Sequence, residues 1–104
     1  VVLGVLADKD VYSIVEPFSS LVDHWYIGTI NSERGMNSDE IKFRINSIYK
    51  SKLSIGTYAS VTSAFNAAKY DQMKDSLLLV YGSFYTVSEA LKAHLLEHKK
   101  GNAI

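Results

Sequence analysis

Cysteine is absent from this 104-residue sequence, which removes disulfides and thiolate metal sites from consideration. The absence also fits a cytoplasmic protein, which we expect. Proline occurs once, at Pro17. An excess of either charge is missing, because 11 basic side chains balance 11 acidic ones. Nucleic-acid binders normally carry a basic excess, so nucleic acid is not an expected partner. No apolar run reaches the roughly 20 residues that span a bilayer, so no membrane partner is expected either. Neither G-x-G-x-x-G nor G-x-x-x-x-G-K-[ST] occurs, so the chain carries no dinucleotide fingerprint and no P-loop. Internal repeats and low-complexity tracts are also missing.

What is present reads as a single domain over residues 1–104. Hydrophobic residues make up 47% of it, enough for a real core at this size. The sequence opens Val1-Val2-Leu3 rather than on methionine, so we expect a piece of something longer.

The order of elements follows from periodicity. Residues 1–7 are almost continuously apolar, the mark of a strand buried on both faces. Asp8-Lys9-Asp10 stops it. Val11, Ile14, Val15, Phe18, Leu21 and Val22 then recur at helical spacing. Ser13-x-x-Glu16 has the form of a capping box, which places a loose turn over residues 10–13 and Pro17 in the first regular turn. Residues 25–30 form a second strand, and 31–37 a polar loop. Ser38 is expected to cap a helix with Ile41, Ile45, Ile48 and Tyr49 on one side. Residues 52–58 read as a short strand. Ser60 opens a third helix, with Val61, Ala64, Phe65 and Ala68 as its stripe. Residues 77–81 read as the clearest strand. Thr86 opens the last helix with Glu89 as its capping partner, and Val87, Ala90, Leu91 and Leu95 form its stripe. Residues 98–104 are expected to fray. Such strand–helix alternation implies crossovers, hence a three-layer, Rossmann-like α/β domain with a mostly parallel sheet.

In open α/β sheets ligands bind outside the carboxyl ends of the strands. Two strand-to-helix loops there carry useful chemistry. One is Asp8-Lys9-Asp10. The other is Gly82-Ser83-Phe84-Tyr85, which leads into a helix N-terminus favourable to an anion. Gly82 would permit close approach, Ser83 would add a hydroxyl and Lys9 a mobile charge. Together these describe a carboxylate or phosphate site, with Asp8, Asp10, Gly82 and Tyr85 as neighbours. The plainer reading is a turn and a cap at each loop. With Thr86 as the cap, the Ser83 hydroxyl is left for a ligand. His24 reads as structural.

His94-Leu95-Leu96-Glu97-His98 matches the inverted zinc-peptidase pattern H-x-x-E-H. A catalytic zinc of that type needs a third protein ligand. The six residues after His98 include no acid and no histidine. We therefore expect no metal site here.

The loops also carry a resemblance. VVLGVLADKD at 1–10, VDHWY at 22–26 and VYGSFYTVSEAL at 80–91 resemble the C-terminal domain of the bacterial dihydrofolate synthase/folylpolyglutamate synthase family, which is of the Mur-ligase type. The resemblance implies an ATP-dependent ligase that activates a pteroate or folate carboxylate as an acyl phosphate and joins glutamate to it. It implies that ATP and magnesium are held mainly by an N-terminal domain. The C-terminal domain would close over that nucleotide, with Lys9 and Ser83 holding glutamate's carboxylates. The family's Asp-x-Ala-His-Asn segment and the strand bearing it precede the part matched by residues 1–7. The resemblance thus implies a domain lacking its first strand, inactive alone, and able to self-associate through an exposed strand edge. The alternative is a non-catalytic, flavodoxin-like α/β binding or partner module.

Overall fold

The computed structural model describes residues 1–50, 52–72 and 76–102, with residue 84 and residues 97–102 described by their backbone alone. Strands and helices alternate through these residues: β1 (Val2–Leu3), α1 (Val11–Val15), β2 (Trp25–Gly28), α2 (Ser38–Tyr49), β3 (Ile55–Tyr58), α3 (Val61–Asp71), β4 (Val80–Tyr81) and α4 (Phe84–Asn102). A 3-10 turn, Glu16–Phe18, follows α1. The strands are all parallel, in the order β3-β2-β1-β4. Val2 lies between Tyr26 and Val80, and Leu3 between Ile27 and Tyr81.

Successive side chains of a strand point to opposite faces, so β1 feeds two cores. Leu3 packs with Trp25, Ile27, Val11, Val15, Ile41 and Ile45 beneath α1 and α2. Val2 faces the other way, against Val61, Ala64, Phe65 and Ala68 of α3 and Ala90 and Ala93 of α4. Each fully buried aliphatic side chain contributes ~1.5–3 kcal/mol relative to exposure. With strands this short, the two cores rather than the ladder hold the sheet between its helices. The three-layer parallel arrangement is the one the alternation implied. Trp25 is fully buried in the first core, and its indole nitrogen finds no hydrogen-bond partner among the described residues.

The strands are shorter than their apolar runs. The run over residues 1–7 yields only Val2–Leu3, because the backbone beyond finds other partners. The Thr86 hydroxyl donates to the Gly4 carbonyl, Met36 N–H to the Val5 carbonyl, and Ala7 N–H to the Arg34 carbonyl. The run over 77–81 yields only Val80–Tyr81. Its register sets Val80 beside Val2, so no residue of β1 lies opposite Leu77, which is 91% exposed.

Three helix starts also differ from expectation. Asp10, not Ser13, caps α1: it accepts from Tyr12 N–H at 3.1 Å and from the Ser13 hydroxyl at 2.8 Å. Pro17 falls in the 3-10 turn, where its missing N–H interrupts no α-helical bond of α1. Asn37, not Ser38, caps α2, because the Asn37 side chain accepts from Asp39 N–H at 2.8 Å; the Ser38 N–H goes to the Thr29 hydroxyl at 2.9 Å. Helix α4 begins at Phe84, two residues before the expected start at Thr86. Ser60 caps α3 as expected. The backbone of α4 is helical through Asn102, and residues 103–104 of the tail expected to fray lie outside the described residues.

The expected stripe of α4 divides in two. Ala90 is buried, whereas Val87, Leu91 and Leu95 are 46%, 54% and 57% exposed. Small side chains at 90 and 93 let α4 lie close against the sheet and α3. Val87 and Leu91 instead line a groove along β4, which has a strand neighbour on one side only among the described residues. Ile48 of α2 is likewise exposed.

Candidate functional site

The strand order decides where the loops go. The chain runs β1, β2, β3 in one direction, with α1 and α2 on one face. Helix α3 then returns it across the other face to β4, on the far side of β1. The loops after β1 and β4 therefore leave the same carboxyl edge from neighbouring strands and turn to opposite faces. That is a topological switch point, where open α/β sheets place their ligands. Lys9 belongs to the first of these loops, and Gly82 and Ser83 to the second.

The β1 loop is held from the β2 side. Lys9 N–H closes a turn on the Leu6 carbonyl at 3.1 Å. Asp8 pairs with Arg34 at 3.1 Å, an exposed contact of little energetic weight. Asp10 is committed to the α1 cap, and the hydrogen bond from Ser13 holds its carboxyl below the usual carboxylate range. Asp8 and Asp10 therefore have structural work. Lys9 is exposed, and among the described residues its ammonium makes no ion pair.

The β4 loop is tied to β1 itself. Gly82 has φ +119°, a conformation that L side chains rarely adopt, and a Cβ there would lie 2.4 Å from the Gly4 carbonyl oxygen. A Cβ on Gly4 would in turn lie 2.6 Å from the Thr86 Oγ1. The two glycines bring the α4 N-terminus against the end of β1. Thr86, fully buried, donates its hydroxyl to the Gly4 carbonyl at 2.8 Å.

Ser83 corrects a sequence expectation. Its Oγ accepts from Thr86 N–H at 3.1 Å, so Ser83 is the α4 cap and Thr86 is not. The same Oγ lies 3.0 Å from the Thr86 Oγ1. The Ser83 hydroxyl is therefore engaged, not left over. Glu89, expected to complete a box with Thr86, reaches α3 instead and accepts from Thr62 N–H at 2.5 Å and the Thr62 hydroxyl at 2.9 Å. Tyr85 is exposed in the first turn of α4. Sequence reasoning missed Gly4 and gave Thr86 and Glu89 a capping role that they do not have. The Ser83-x-x-Thr86 spacing, which matches a cap and its third helical residue, was the available signal.

The larger hollows lie elsewhere. One of about 490 Å³ opens at the amino end of the sheet, beside Val1, Phe18, His24, Tyr26 and Asp71. His24 Nδ1 meets the Ser54 hydroxyl at 2.6 Å there, and Tyr26 donates to Asp71 at 3.0 Å. Another of about 410 Å³ follows β4 and α4. Neither includes Lys9 or Ser83. His94 packs edge-on to Phe65, and the side chain of His98 lies outside the described residues. Among the described residues no three of His, Asp and Glu come together to hold a metal. Among the described residues no helix is long and apolar enough to cross a membrane.

Comparison with known proteins gives one consistent answer. The dihydrofolate synthase/folylpolyglutamate synthase of Haemophilus influenzae is 31% identical over 88 residues, which is 85% of this chain and 20% of that protein. That of Escherichia coli is 31% identical over 96 residues, 92% of this chain and 20% of the relative. The structure of E. coli FolC in complex with DHPP and ADP matches with a TM-score of 0.73 at 28% identity, over 99% of this chain and 22% of that one. The bifunctional folylpolyglutamate synthase/dihydrofolate synthase of Yersinia pestis, complexed with AMPPNP and Mn ion, matches with a TM-score of 0.70 at 26% identity, over 95% of this chain and 21% of that one. No protein-family model matches. The chain spans about a fifth of the length of the curated relatives it matches. Similar in sequence across most of its residues and in fold across nearly all of them, the chain is a homologue of one segment of the bacterial dihydrofolate synthases/folylpolyglutamate synthases.

Proposed function

We propose that this chain is the C-terminal, glutamate-binding domain of an ATP-dependent ligase that joins glutamate to dihydropteroate or folate. The observation that carries the reading is the switch point between β1 and β4, which places the Lys9 and Ser83 loops at one sheet edge in a homologue of folate ligases. ADP and AMPPNP in the related structures support a nucleotide-dependent reaction.

The chemistry runs in two steps. The γ-phosphoryl group of ATP moves to a carboxylate oxygen of the pteroate or folate, giving an acyl phosphate and ADP. The glutamate nitrogen then attacks the acyl carbon, the bond to phosphate breaks, and the nitrogen loses its proton as the amide forms. No P-loop motif occurs in the sequence, and among the described residues no three of His, Asp and Glu come together to hold a metal; on the resemblance to the folate ligases, ATP and magnesium are held mainly by an N-terminal domain. The role of this domain is to bring glutamate in and close over the nucleotide. Lys9 supplies a point charge to a glutamate carboxylate, and Ser83 a hydroxyl at the start of α4, where the helix dipole also favours an anion. A site completed by domain closure explains why Lys9 and Ser83 line none of the larger hollows of this domain.

The test is glutamate-dependent ADP release by the full-length protein. Lys9→Ala should raise the glutamate KM about tenfold, the scale of a lost hydrogen bond to a charged group, with little change in the ATP KM. The isolated chain should release no ADP. An unchanged glutamate KM would remove Lys9 from the site, and turnover by the isolated chain would refute the division of labour. Glutamate-independent behaviour throughout would favour the flavodoxin-like binding module.

A further inference from the structure

We propose that Thr86 is a positioning residue for glutamate binding, acting through Ser83; the proposal rests on the glutamate-site reading above. Hydroxyl protons are the starting point. A threonine hydroxyl has one hydrogen, and that of Thr86 goes to the Gly4 carbonyl at 2.8 Å. Towards Ser83, 3.0 Å away, Thr86 Oγ1 is then an acceptor. The Ser83 Oγ meanwhile accepts from Thr86 N–H at 3.1 Å. Two contacts from one residue thus select a single rotamer of a side chain that otherwise has three staggered wells. They also leave the one mobile hydrogen of the cluster on Ser83.

A glutamate carboxylate arriving at the α4 N-terminus would meet a hydroxyl held in one rotamer, with its hydrogen resting on Thr86 Oγ1. The Ser83 hydrogen would turn from Thr86 Oγ1 to the carboxylate, exchanging a neutral hydrogen bond for a stronger charge-assisted one. No covalent bond changes in this step. The Gly4 contact does further work, because Gly4 lies on the path from β1 to Lys9. Through it Thr86 fixes the Ser83 loop against the strand that supplies the other half of the site. Gly82 makes this approach possible, since any Cβ there would strike the Gly4 carbonyl.

The test uses the full-length protein, with glutamate KM and kcat measured by ADP release and the melting temperature recorded for each variant. Thr86→Ser and Thr86→Ala both lose the methyl group and differ only by the hydroxyl, so they separate positioning from packing even if Thr86→Val fails to fold. We expect Thr86→Ser to keep the glutamate KM near that of the parent. Thr86→Ala should raise it about fivefold to tenfold, the range of a lost polar contact, with kcat and the ATP KM changing less. In a Ser83→Ala background, Thr86→Ala should add almost nothing, because the residue it positions is gone. If Ser83→Ala raises the glutamate KM and Thr86→Ala does not, or if Thr86→Ala exerts its full effect without the Ser83 hydroxyl, the positioning role is overturned and the glutamate site stands. If Ser83→Ala leaves the glutamate KM unchanged, both fall together.

Discussion

The carboxylate of Glu89, on α4, accepts two hydrogen bonds from Thr62 at the start of α3, one from the backbone N–H and one from the hydroxyl. A helix begins with unpaired N–H groups, and here a side chain from the neighbouring helix satisfies one of them. Ser60 satisfies the next, at Ser63 N–H. Glu89→Ala should therefore destabilise the domain by ~1–3 kcal/mol, the cost of losing a partly buried charged acceptor. Thermal or urea unfolding of the isolated chain measures this, and a loss below a few tenths of a kcal/mol would make the contact incidental.

Gly82→Ala should be more damaging. Its backbone lies at positive φ, and the new Cβ would fall 2.4 Å from the Gly4 carbonyl oxygen just after β1. The strain amounts to ~1–3 kcal/mol before the clash is counted. We expect the isolated chain carrying it to melt at a clearly lower temperature or to be recovered unfolded. A parent-like melting curve would mean that the β4 loop can move away from β1.

Alkaline pH should weaken the fold through Tyr81. Its hydroxyl donates to the Ile14 carbonyl at 2.5 Å, and burial, with Tyr49 as a lesser cause, pushes its pKa from the ordinary 10.0 up to about 12. A phenol whose folded pKa is raised favours the folded state below its unfolded pKa. That contribution is lost as pH rises from about 10 to about 12. Denaturation measured across this window should show stability falling, and Tyr81→Phe should flatten the fall. An equal slope in both proteins would assign it to other groups.

The edge of β4, unpaired among the described residues, should make the isolated chain self-associate. Strand edges present unpaired backbone groups, and this one is flanked by exposed Leu77, Leu91 and Leu95. Two copies can pair antiparallel about a two-fold axis, since a strand edge is complementary to itself in that arrangement. Light scattering should show a concentration-dependent dimer that Leu91→Lys weakens. A monomer at every concentration would dismiss the pairing.

The sequence made the alternation of elements legible, because residues such as Val61, Ala64, Phe65 and Ala68 repeat at helical spacing and all four are buried. It also put Lys9 and Ser83 on strand-end loops. Strand length was not legible, since it depends on what lies opposite: Leu77 belongs to an apolar run but has no β1 residue beside it. The start of α4 was ambiguous because Ser83-x-x-Thr86 and Thr86-x-x-Glu89 overlap. The bond from Thr86 N–H to Ser83 Oγ settles which hydroxyl caps, and the Thr86 hydroxyl goes instead to Gly4, 82 positions away. The outward side of α4 misled because Leu91 and Leu95 announce a buried face, whereas packing here is done by Ala90 and Ala93.

The two cores differ in what they report to a spectrometer. The sole tryptophan, Trp25, is dry and lies wholly on the α1–α2 side of the sheet. Its emission should be blue-shifted in the native chain and should redden when that layer parts from the strands. The α3–α4 layer contains no indole and would stay silent. Fluorescence and far-ultraviolet dichroism recorded together would therefore show whether the two sides of this sheet come apart as one unit or in turn.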